Sequence, residues 1–459
     1  MRPDQIPDWE TLDLAACYRL KLKIASKPNE YSGVAQVTFT NTTGVALDEV
    51  VFRTYPNADR IFGGSLTISE AQVGGLPVQP QVYLEDRTAV RLILPQLLSQ
   101  EETIEIELGF SGQLPQDFGG SARLYGVFNY TTSEQVLTLA NWFPILAPWI
   151  NGGWQVEPVV GIGDAVVSEA ALYLVEVTAP DSWQVIATGS QIDSSRAEGL
   201  TTTTFASGPA RDFFISASPS FVLRSQELNG VRINHWGLPA GEERWEEVLQ
   251  ATVDSLSVYD ELYGLYPYAE LDVADAPLRL ASGVEYPGVF LIGSQMYIPN
   301  VAEPYLLGIV VSHEAAHQWW YGVVGNDVLT HPWQDEALAT YSSLLYQQVH
   351  QPLVYKGTLV FYESRVDNLE DAEVDTDVDQ SVAAFTDEPS AYSLVVYLKG
   401  ALFFVELQEL IGDEAFFDAL QAYYRENMYD LVAPQTLLDA FEAACGCELD
   451  SFYEEWGVD

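Results

Sequence analysis

Residues 313–317 read His-Glu-Ala-Ala-His, and Glu336 follows after 18 further residues. Apolar residues recur with a helical period from Tyr305 to Trp320, so the pattern predicts a helix that carries both histidines. Histidines four positions apart lie on one helical face, about 6 Å apart, where both rings can reach one metal ion. A second helical pattern begins at Trp333 and places Glu336 near its start. The stretch therefore predicts two helices that bring three metal ligands together.

The predicted ligand set is typical of a catalytic zinc site. Zinc takes four ligands, and catalytic sites use three protein ligands and keep the fourth position for water or substrate. His313, His317 and Glu336 are the predicted ligands of one zinc ion per chain. Zinc at such a site lowers the pKa of its water to about 7. Glu314 lies beside a ligand, so it is the candidate general base that takes a proton from that water.

The motif lies in the second of two parts of the chain that differ in pattern. Up to about residue 220, short alternating runs such as Tyr18–Ile24 and Ala171–Val177 are separated by Gly and Pro turns, which is typical of strands. After Phe221 the apolar residues take a helical period, beginning with Glu242–Tyr266. The predicted fold is multidomain α+β. An N-terminal all-β saddle or sandwich domain covers residues 1–221, and a mostly helical domain covers residues 222–459.

The composition excludes some function classes. Lys and Arg number 20 against 66 Asp and Glu, a formal net charge of −46. Phosphate binding needs clustered basic residues, so we expect no nucleic-acid partner. No run of about 18 apolar residues occurs, so no transmembrane segment is predicted. An acidic surface repels itself less in salt, and both a halophilic source and an ordinary acidic enzyme fit it.

The compartment and the cysteine pairing stay open at this point. The first residues contain no apolar signal-peptide core, which predicts a cytoplasmic protein, or a secreted or cell-envelope protein whose export signal has been trimmed. Cys445 and Cys447 flank a single glycine, which is too close for the usual zinc-binding pairs. They are either small buried residues or a local disulfide bridge.

At this spacing the His-Glu-Ala-Ala-His motif resembles the gluzincin metallopeptidases. Two further segments resemble the aminopeptidase N and leukotriene-hydrolase family within that group. Upstream, Ser282-Gly-Val-Glu-Tyr-Pro287 is similar to the family's G-x-M-E-N segment, with Val284 and Tyr286 in place of Met and Asn. The resemblance implies that Glu285, next to Gly283, binds the free α-amine of the substrate.

Downstream, Tyr397-Leu-Lys-Gly400 is similar to the family's Y-E-K-G segment, with Leu398 in place of Glu. The resemblance implies that the Tyr397 hydroxyl stabilises the tetrahedral intermediate. Arg53-Thr-Tyr-Pro-Asn57 and the stretch Asp413–Trp456 are similar to the family's β saddle and to the end of its thermolysin-like catalytic domain. The chain as given stops there, which predicts a minimal form without the C-terminal α-solenoid of many relatives.

The resemblance implies a monomeric zinc aminopeptidase that acts on peptides with a free N-terminus. A first alternative is a zinc endopeptidase, or a hydrolase of another small substrate that uses the same site. A second alternative, of a different class, is a noncatalytic protein-interaction module that has kept the fold. The presence of Glu314 beside intact ligands argues against the second alternative, because a decayed scaffold would not need the base. The preferred N-terminal residue does not follow from the sequence.

Overall fold

A computed structural model describes residues 1, 2, 5, 12, 14–25, 27–299, 301–370 and 375–458. The contacts divide the chain into two compact units. The first unit consists of Met1–Val159, Ser168–Trp245 and Pro267–Ile298, and the second of Val160–Val167, Glu246–Tyr266 and Pro299–Asp459. The sequence pattern changes near residue 221, and a domain boundary at that residue stays a prediction.

The first unit contains all the strands of the described chain. In chain order they are β1 (Ala16–Ile24), β2 (Glu30–Thr40), β3 (Leu47–Arg53), β4 (Ser65–Val73), β5 (Leu76–Val78), β6 (Gln81–Val82), β7 (Ala89–Leu98), β8 (Thr103–Gln113), β9 (Phe128–Thr131), β10 (Val136–Leu139), β11 (Ile145–Leu146), β12 (Trp149–Ile150), β13 (Gly153–Trp154), β14 (Ala171–Pro180), β15 (Gln184–Ala187), β16 (Ser190–Ala197), β17 (Leu200–Ala210), β18 (Ile215–Ser218), β19 (Val222–Leu228), β20 (Val231–Gly237), β21 (Glu270–Ala276), β22 (Gly283–Tyr286) and β23 (Val289–Gly293).

The largest sheet has eight strands in the order β16-β17-β14-β1-β2-β8-β4-β5. In β1 every second side chain is buried, as expected of a strand with one face on a core. Two four-stranded sheets, β15-β18-β10-β9 and β11-β3-β7-β6, accompany it. Aromatic side chains fill the core, where the Tyr31 hydroxyl donates to the backbone carbonyl of the fully buried Trp142 at 2.8 Å. Each large side chain buried in this way contributes about 1.5–3 kcal/mol to folding.

A further sheet of five strands has the order β19-β20-β21-β23-β22. β21 pairs in parallel with β20 and with β23, whereas β22 runs antiparallel to β23 and forms an edge. The sequence analysis did not predict this sheet. In β23 every residue is buried, and in β21 all but Glu270 are buried, so neither strand shows the alternation that identified the earlier ones.

The helices of the described chain, in order, are α1 (Trp245–Leu262), α2 (Pro304–Ala316), α3 (Trp333–His350), α4 (Pro352–Glu370), α5 (Pro389–Tyr392), α6 (Gly400–Ile411), α7 (Asp413–Glu426), α8 (Pro434–Cys445) and α9 (Asp450–Trp456). A π-helix, Ser393–Lys399, joins α5 to α6. The predicted multidomain α+β architecture is confirmed, with a β-rich part followed by a helical part. Within the residues described, no helix is both long enough and apolar enough to cross a membrane.

The second unit is built around α3. All residues from Trp333 to Gln347 are buried, because α3 packs against α2, α4, the π-helix and α6. Two of its buried side chains are held by hydrogen bonds to other helices: Gln334 donates to the Tyr423 hydroxyl at 2.8 Å, and the Tyr341 hydroxyl donates to Gln408 at 2.6 Å. A helix fixed on every side can hold a functional carboxylate in one position.

The cysteines form a local bridge. Cys445 and Cys447 are joined by a disulfide across Gly446, whose φ of 63° is the left-handed conformation that commonly ends a helix. Cys17 is the free thiol. Of the two interpretations that the sequence left open, the structure has the disulfide.

Candidate metal centre and active site

The two motif histidines lie at the end of α2. His313 belongs to the last turn, and His317 follows the final residue of the helix. The backbone N–H of His317 donates to the carbonyl of His313 at 3.3 Å, so the helical geometry continues to the second ring. The ring centroids are 4.7 Å apart, and the two Nε2 atoms are 3.2 Å apart. The helical spacing has brought two ring nitrogens face to face.

The tautomer of His317 follows from its surroundings. Its Nδ1 lies 3.1 Å from the backbone carbonyl oxygen of Trp320, and a carbonyl can only accept a hydrogen bond. Nδ1 therefore carries the hydrogen, and in the neutral ring the lone pair is on Nε2. A second hydrogen bond that fixes the ring in this way is the usual companion of a metal-binding histidine. His317 is fully buried, so water does not compete for this contact.

Glu336 completes the cluster from the first turn of α3. Its Oε2 lies 3.2 Å from Nε2 of His313 and 3.4 Å from Nε2 of His317. Zinc bonds of about 2.0–2.1 Å at tetrahedral angles place ligand atoms about 3.3–3.4 Å apart. The three donor atoms therefore have the separations of a tetrahedral zinc site, and two nitrogens with one carboxylate oxygen are ligands that zinc accepts. The residues present fit the ion.

The electrostatics of the cluster indicate a site for positive charge. Burial lowers the pKa of His317, but the carboxylates of Glu336, Asp335 and Glu314 more than reverse this and raise it to about 10. Burial alone would raise the pKa of Glu336, but hydrogen bonds with His313 and His317 bring it well below its usual range. The ionised carboxylate of Glu336 thus lies against both imidazoles with two further carboxyl groups nearby, and a divalent cation that binds there displaces a proton from His317.

Tyr397 reaches the same cluster from the π-helix Ser393–Lys399. Its hydroxyl donates to Oε1 of Glu336, and its ring stacks on that of His313 with centroids 5.8 Å apart. Burial, followed by the charge of Glu336, raises the pKa of Tyr397 well above its usual value, so the hydroxyl keeps its proton and remains a donor. Short π-helical segments inside helices are frequent at functional sites.

Glu314 and Asp335 supply two further buried carboxyl groups. Glu314 is 5% exposed on α2, and its charge acts on His317. The sequence analysis selected Glu314 but missed Asp335, which is 1% exposed and accepts a hydrogen bond from the backbone N–H of Glu336 at 2.8 Å. Burial and the neighbouring Glu336 raise the pKa of Asp335 well above its usual value. The position of Asp335 directly before the predicted ligand Glu336 was the signal in the sequence that could have identified it.

The sequence analysis also missed a short segment, Val160–Val167, that joins the second unit from the earlier part of the chain. Gly163 has a φ of +59°, and a Cβ there would overlap the hydroxyl and ring of Tyr392. Tyr392 in turn packs edge-on against Tyr397, with centroids 5.7 Å apart. The next residue, Asp164, acts electrostatically on Tyr397. No local pattern in the sequence indicated that this segment lies near the metal ligands.

Glu285 and Gly283 belong to the first unit, on the edge strand β22. Glu285 is 8% exposed and pairs in register with Phe290 of β23. The ring of Tyr286, where the family has Asn, stacks on Phe214 with centroids 4.2 Å apart. Tyr286 thus packs in the core of this unit. The part that Glu285 and Gly283 play with the metal ligands stays a prediction.

Comparison with known proteins agrees with this geometry. Residues 247–456 match the model of the peptidase family M1 domain. The chain carries a peptidase family M1 domain. The prediction of an aminopeptidase N-like gluzincin is therefore confirmed, as is the prediction of zinc, since this M1 chain also presents the His313, His317 and Glu336 group.

The curated relatives match at low identity and are much longer than this chain. Aminopeptidase M1 of Arabidopsis thaliana is 25% identical over half of this chain and 27% of its own length. Aminopeptidase N of Lactococcus lactis is 23% identical over 58% of this chain and 33% of its own length. The chain thus spans about a third or less of these relatives. The M1 domain match and these relatives support a zinc peptidase, and the specificity is a separate question.

Solved structures share the fold along nearly the whole chain. The M1 zinc metallopeptidase from Deinococcus radiodurans matches with a TM-score of 0.71 at 21% identity, over 97% of this chain and 94% of that one. A mutant of the same enzyme bound to a Tyr-Ser-Ala substrate matches with a TM-score of 0.69. These M1 structures show that the two-part architecture is a known arrangement.

Proposed function

We propose that this M1 zinc peptidase is an aminopeptidase that removes the N-terminal residue from peptides. The observation that carries the proposal is the set of three converging donor atoms of His313, His317 and Glu336, with Glu314 and the Tyr397 hydroxyl at the same cluster. The names of the curated relatives, which are aminopeptidases, support the exopeptidase interpretation.

When bound, the zinc ion supplies Lewis-acid chemistry that activates water and polarises a peptide carbonyl. The residues of the chain supply the proton transfer. We assign to the Glu314 carboxylate the role of taking a proton from the attacking water and giving it to the leaving amine. Its burial keeps bulk water from competing for the carboxylate oxygens. Groups of this kind contribute about 10²–10⁴-fold to the rate.

The Tyr397 hydroxyl is the candidate donor to the oxyanion. A hydrogen-bond donor directed at the developing negative charge contributes about 3–4 kcal/mol in comparable sites. The hydroxyl donates to Glu336 in this structure, so turning from this carboxylate to the substrate oxygen exchanges one charge-assisted hydrogen bond for another. Its raised pKa keeps the proton needed for both bonds.

Glu285 is the candidate group for the substrate's ammonium. A buried carboxylate binds an ammonium by charge-assisted hydrogen bonds, and this would make a free N-terminus the condition for productive binding. The strand that carries it, β22, is at a sheet edge, where an extended peptide can add as a further strand. An endopeptidase would not need this carboxylate, and a noncatalytic module would need neither it nor Glu314.

The test compares free and N-acetylated forms of the same aminoacyl amides. We expect the acetylated forms to react at least roughly 100-fold more slowly, the scale of losing a buried polar partner. Glu285→Ala should lower kcat/KM for the free substrates while zinc content stays whole. Glu227→Ala is the matched control, because Glu227 is exposed on β19, the opposite edge of the same sheet. Similar rates for free and blocked substrates would leave the endopeptidase alternative.

We also propose that the protein acts as a monomer and has no nucleic-acid partner. The net charge of −46 supports the second statement, since a nucleic acid would be repelled. Light scattering at micromolar concentration tests the first statement, and an electrophoretic shift assay at low salt tests the second.

A further inference from the structure

The first unit contains a cavity of about 230 Å³ that is separate from every residue assigned to catalysis. Strands of three sheets line it: β15, the pair β16 and β17, and the pair β20 and β21. Two indole rings, those of Trp183 and Trp236, form part of its wall. The volume is below the roughly 300–1,000 Å³ of pockets for drug-sized ligands, so the cavity suits a small molecule or one terminal group of a larger one.

The cavity wall is ordered by hydrogen bonds. The Trp236 indole N–H donates to Oδ1 of Asp272 at 2.8 Å, and Asn234 donates to Oε1 of Glu270 at 2.6 Å. Asp272 is only 5% exposed. These contacts hold two carboxyl groups and an indole in fixed positions before any ligand arrives, and such preorganisation lowers the cost of binding.

One polar atom of the wall still lacks a partner. The hydroxyl oxygen of Thr201, on β17, is buried and has no hydrogen-bond partner among the residues that the structure describes. Buried polar groups in native proteins are nearly always hydrogen-bonded, and exceptions call for an explanation. Thr201 lines the cavity, and a turn of its side chain about χ1 would bring this hydroxyl to the cavity, where a ligand hydroxyl would supply the missing bond.

The mixture of groups narrows the ligand class. Asp181, Glu270 and Asp272 disfavour a ligand with several negative charges, and the guanidinium of Arg196 offsets part of their charge, so the cavity can hold a neutral ligand. Burial raises the pKa of Asp272 to about 7, so near neutral pH this group can also donate. Donors and acceptors beside aromatic faces match a ring that carries several hydroxyl groups, because each hydroxyl both donates and accepts while its C–H faces pack on indole.

We propose that this cavity binds a single pyranose ring, either as a free sugar or as the terminal residue of a glycan. The two sources share the same chemistry and differ at the anomeric carbon. A methyl glycoside blocks that carbon as a glycan does, so binding of methyl glycosides assigns a terminal residue. Binding that is restricted to reducing hexoses assigns a free sugar.

The experiment is titration calorimetry of the zinc-loaded protein with glucose, galactose and mannose and with their methyl α- and β-pyranosides. We expect at least one of these probes to bind with millimolar or tighter affinity. Thr201→Val and Arg196→Ala should each weaken that binding by about tenfold, the scale of one hydrogen bond in a site made for it. Thr204→Val is the matched control, because Thr204 lies on the same strand β17 but does not line the cavity.

The proposal is overturned if none of the sugars binds the wild-type protein, or if Thr204→Val weakens binding as much as Thr201→Val. It is also overturned if agmatine, as a probe for organic cations, binds more tightly than every sugar. Thermal melting of each variant separates loss of the site from loss of the fold. Loss of the Thr201 hydroxyl should leave the melting temperature unchanged or raised, since the hydroxyl has no partner to lose. The outcome does not depend on peptidase activity.

Discussion

A contact outside the short motif fixes the tautomer of His317. The spacing of the two histidines places both rings on one face, but the carbonyl of Trp320 selects the nitrogen that faces the cluster. The charge of Glu336, with smaller contributions from Asp335 and Glu314, then raises the pKa of the ring. The motif therefore specifies which residues are ligands, and the turn after α2 specifies which nitrogen of the His317 ring carries the hydrogen.

Glu314→Gln should separate metal binding from proton transfer. The amide keeps the size of the side chain but cannot accept a proton, so we expect about one zinc per chain and a loss of at least roughly 100-fold in kcat. Glu336→Ala should instead lose the metal, because one of three ligands is gone. Elemental analysis and aminoacyl amide hydrolysis measure the two effects. Glu261→Gln, an exposed acid on α1, serves as control. Full activity of Glu314→Gln would contradict the assigned base.

Gly163→Ala should disturb Tyr397 through Tyr392. The added Cβ overlaps the Tyr392 ring, which packs against Tyr397, so we expect kcat to fall about 10- to 100-fold with little change in KM. Gly412→Ala is a stringent control for backbone strain, because Gly412 has a φ of 83° and a ψ of 156°, a conformation open almost only to glycine, but has open space around it. Both variants carry backbone strain of about 1–3 kcal/mol, and only the first should lose activity.

The rescue variant Gly163→Ala/Tyr392→Phe removes the overlapping hydroxyl and should recover part of the lost kcat. An equal loss of kcat in Gly412→Ala would show that strain alone is responsible. These residues illustrate what the sequence could not predict. The ligands are set by helical spacing within about 25 residues, whereas Gly163 reaches the cluster through a fold-level connection that no local pattern encodes.

At the scale of elements, the sequence predicted strands that are buried on one face and missed strands that are buried on both faces. β1 and β14 alternate between buried and accessible positions, and the sequence predicted both. β21 and β23 lie inside a sheet with nearly every residue buried, and they were missed. α4 was missed for a different reason. Its Leu353 and Phe361 are exposed, and such exposed apolar residues obscure the helical period of the buried residues Tyr362, Val366 and Leu369.

The start of α6 differs from its prediction in a way that matters for the site. The pattern predicts one helix over Tyr397–Ile411, but α6 begins at Gly400 and the π-helix Ser393–Lys399 precedes it. A π-helical turn holds an additional residue and so shifts the faces of a helix. The apolar period does not reveal such a turn, because Val395 and Val396 remain buried in either geometry.

The loop between β17 and β18 should make stability depend on pH through Asp212. Burial raises the pKa of Asp212 to about 7, against hydrogen bonds from Asn141 and the Phe213 N–H that favour the charged form. Between about pH 4 and 7 the folded state therefore holds a proton that the unfolded state has lost. The stabilisation is present below about pH 4 and falls as pH rises to 7, by on the order of 4 kcal/mol.

Asp212→Asn removes this pH-dependent contribution to the free energy of unfolding, because an amide does not titrate in this range. Urea unfolding at pH 5 and pH 8 should show that the wild type loses stability relative to the variant as pH rises. Asp48→Asn, which changes an exposed carboxylate of the same unit, is the control and should give a constant difference. A difference between wild type and Asp212→Asn that is also constant would mean that Asp212 is charged in the folded protein.

At the scale of the whole molecule, fold and sequence similarity extend over different lengths. The structural match covers 97% of the chain at 21% identity, whereas the alignment to the Arabidopsis relative covers half of it. A strand needs only alternating polarity and suitable volume, so many sequences satisfy the same sheet. The zinc ligands allow no such freedom. This is why the motif identified the family and the strands could only indicate an architecture.

Net charge is a property of the molecule that no single site explains. The 66 Asp and Glu side chains outnumber the 20 Lys and Arg side chains by 46, so negative charges predominate. Glu406 shows the consequence locally: burial raises its pKa, and the charges of Glu455, Glu409 and Glu363 add to the rise. Repulsion of this kind is present in the compact state and is relieved when the chain expands, so it lowers the free energy of unfolding at low salt.

Added salt should therefore stabilise the protein. The Debye length falls from about 10 Å at 0.1 M to about 3 Å at 1 M, which screens carboxylates that are not in direct contact. We expect the melting temperature to rise by at least roughly 4 °C between low salt and 1 M NaCl, which for a chain of 459 residues corresponds to about 4 kcal/mol. The double variant Glu363→Gln/Glu409→Gln removes two like charges near Glu406, so it should melt higher at low salt and gain less from NaCl. A melting temperature that stays flat or falls in the wild type, or a rise of equal size in the double variant, would show that repulsion among these carboxylates does not limit stability.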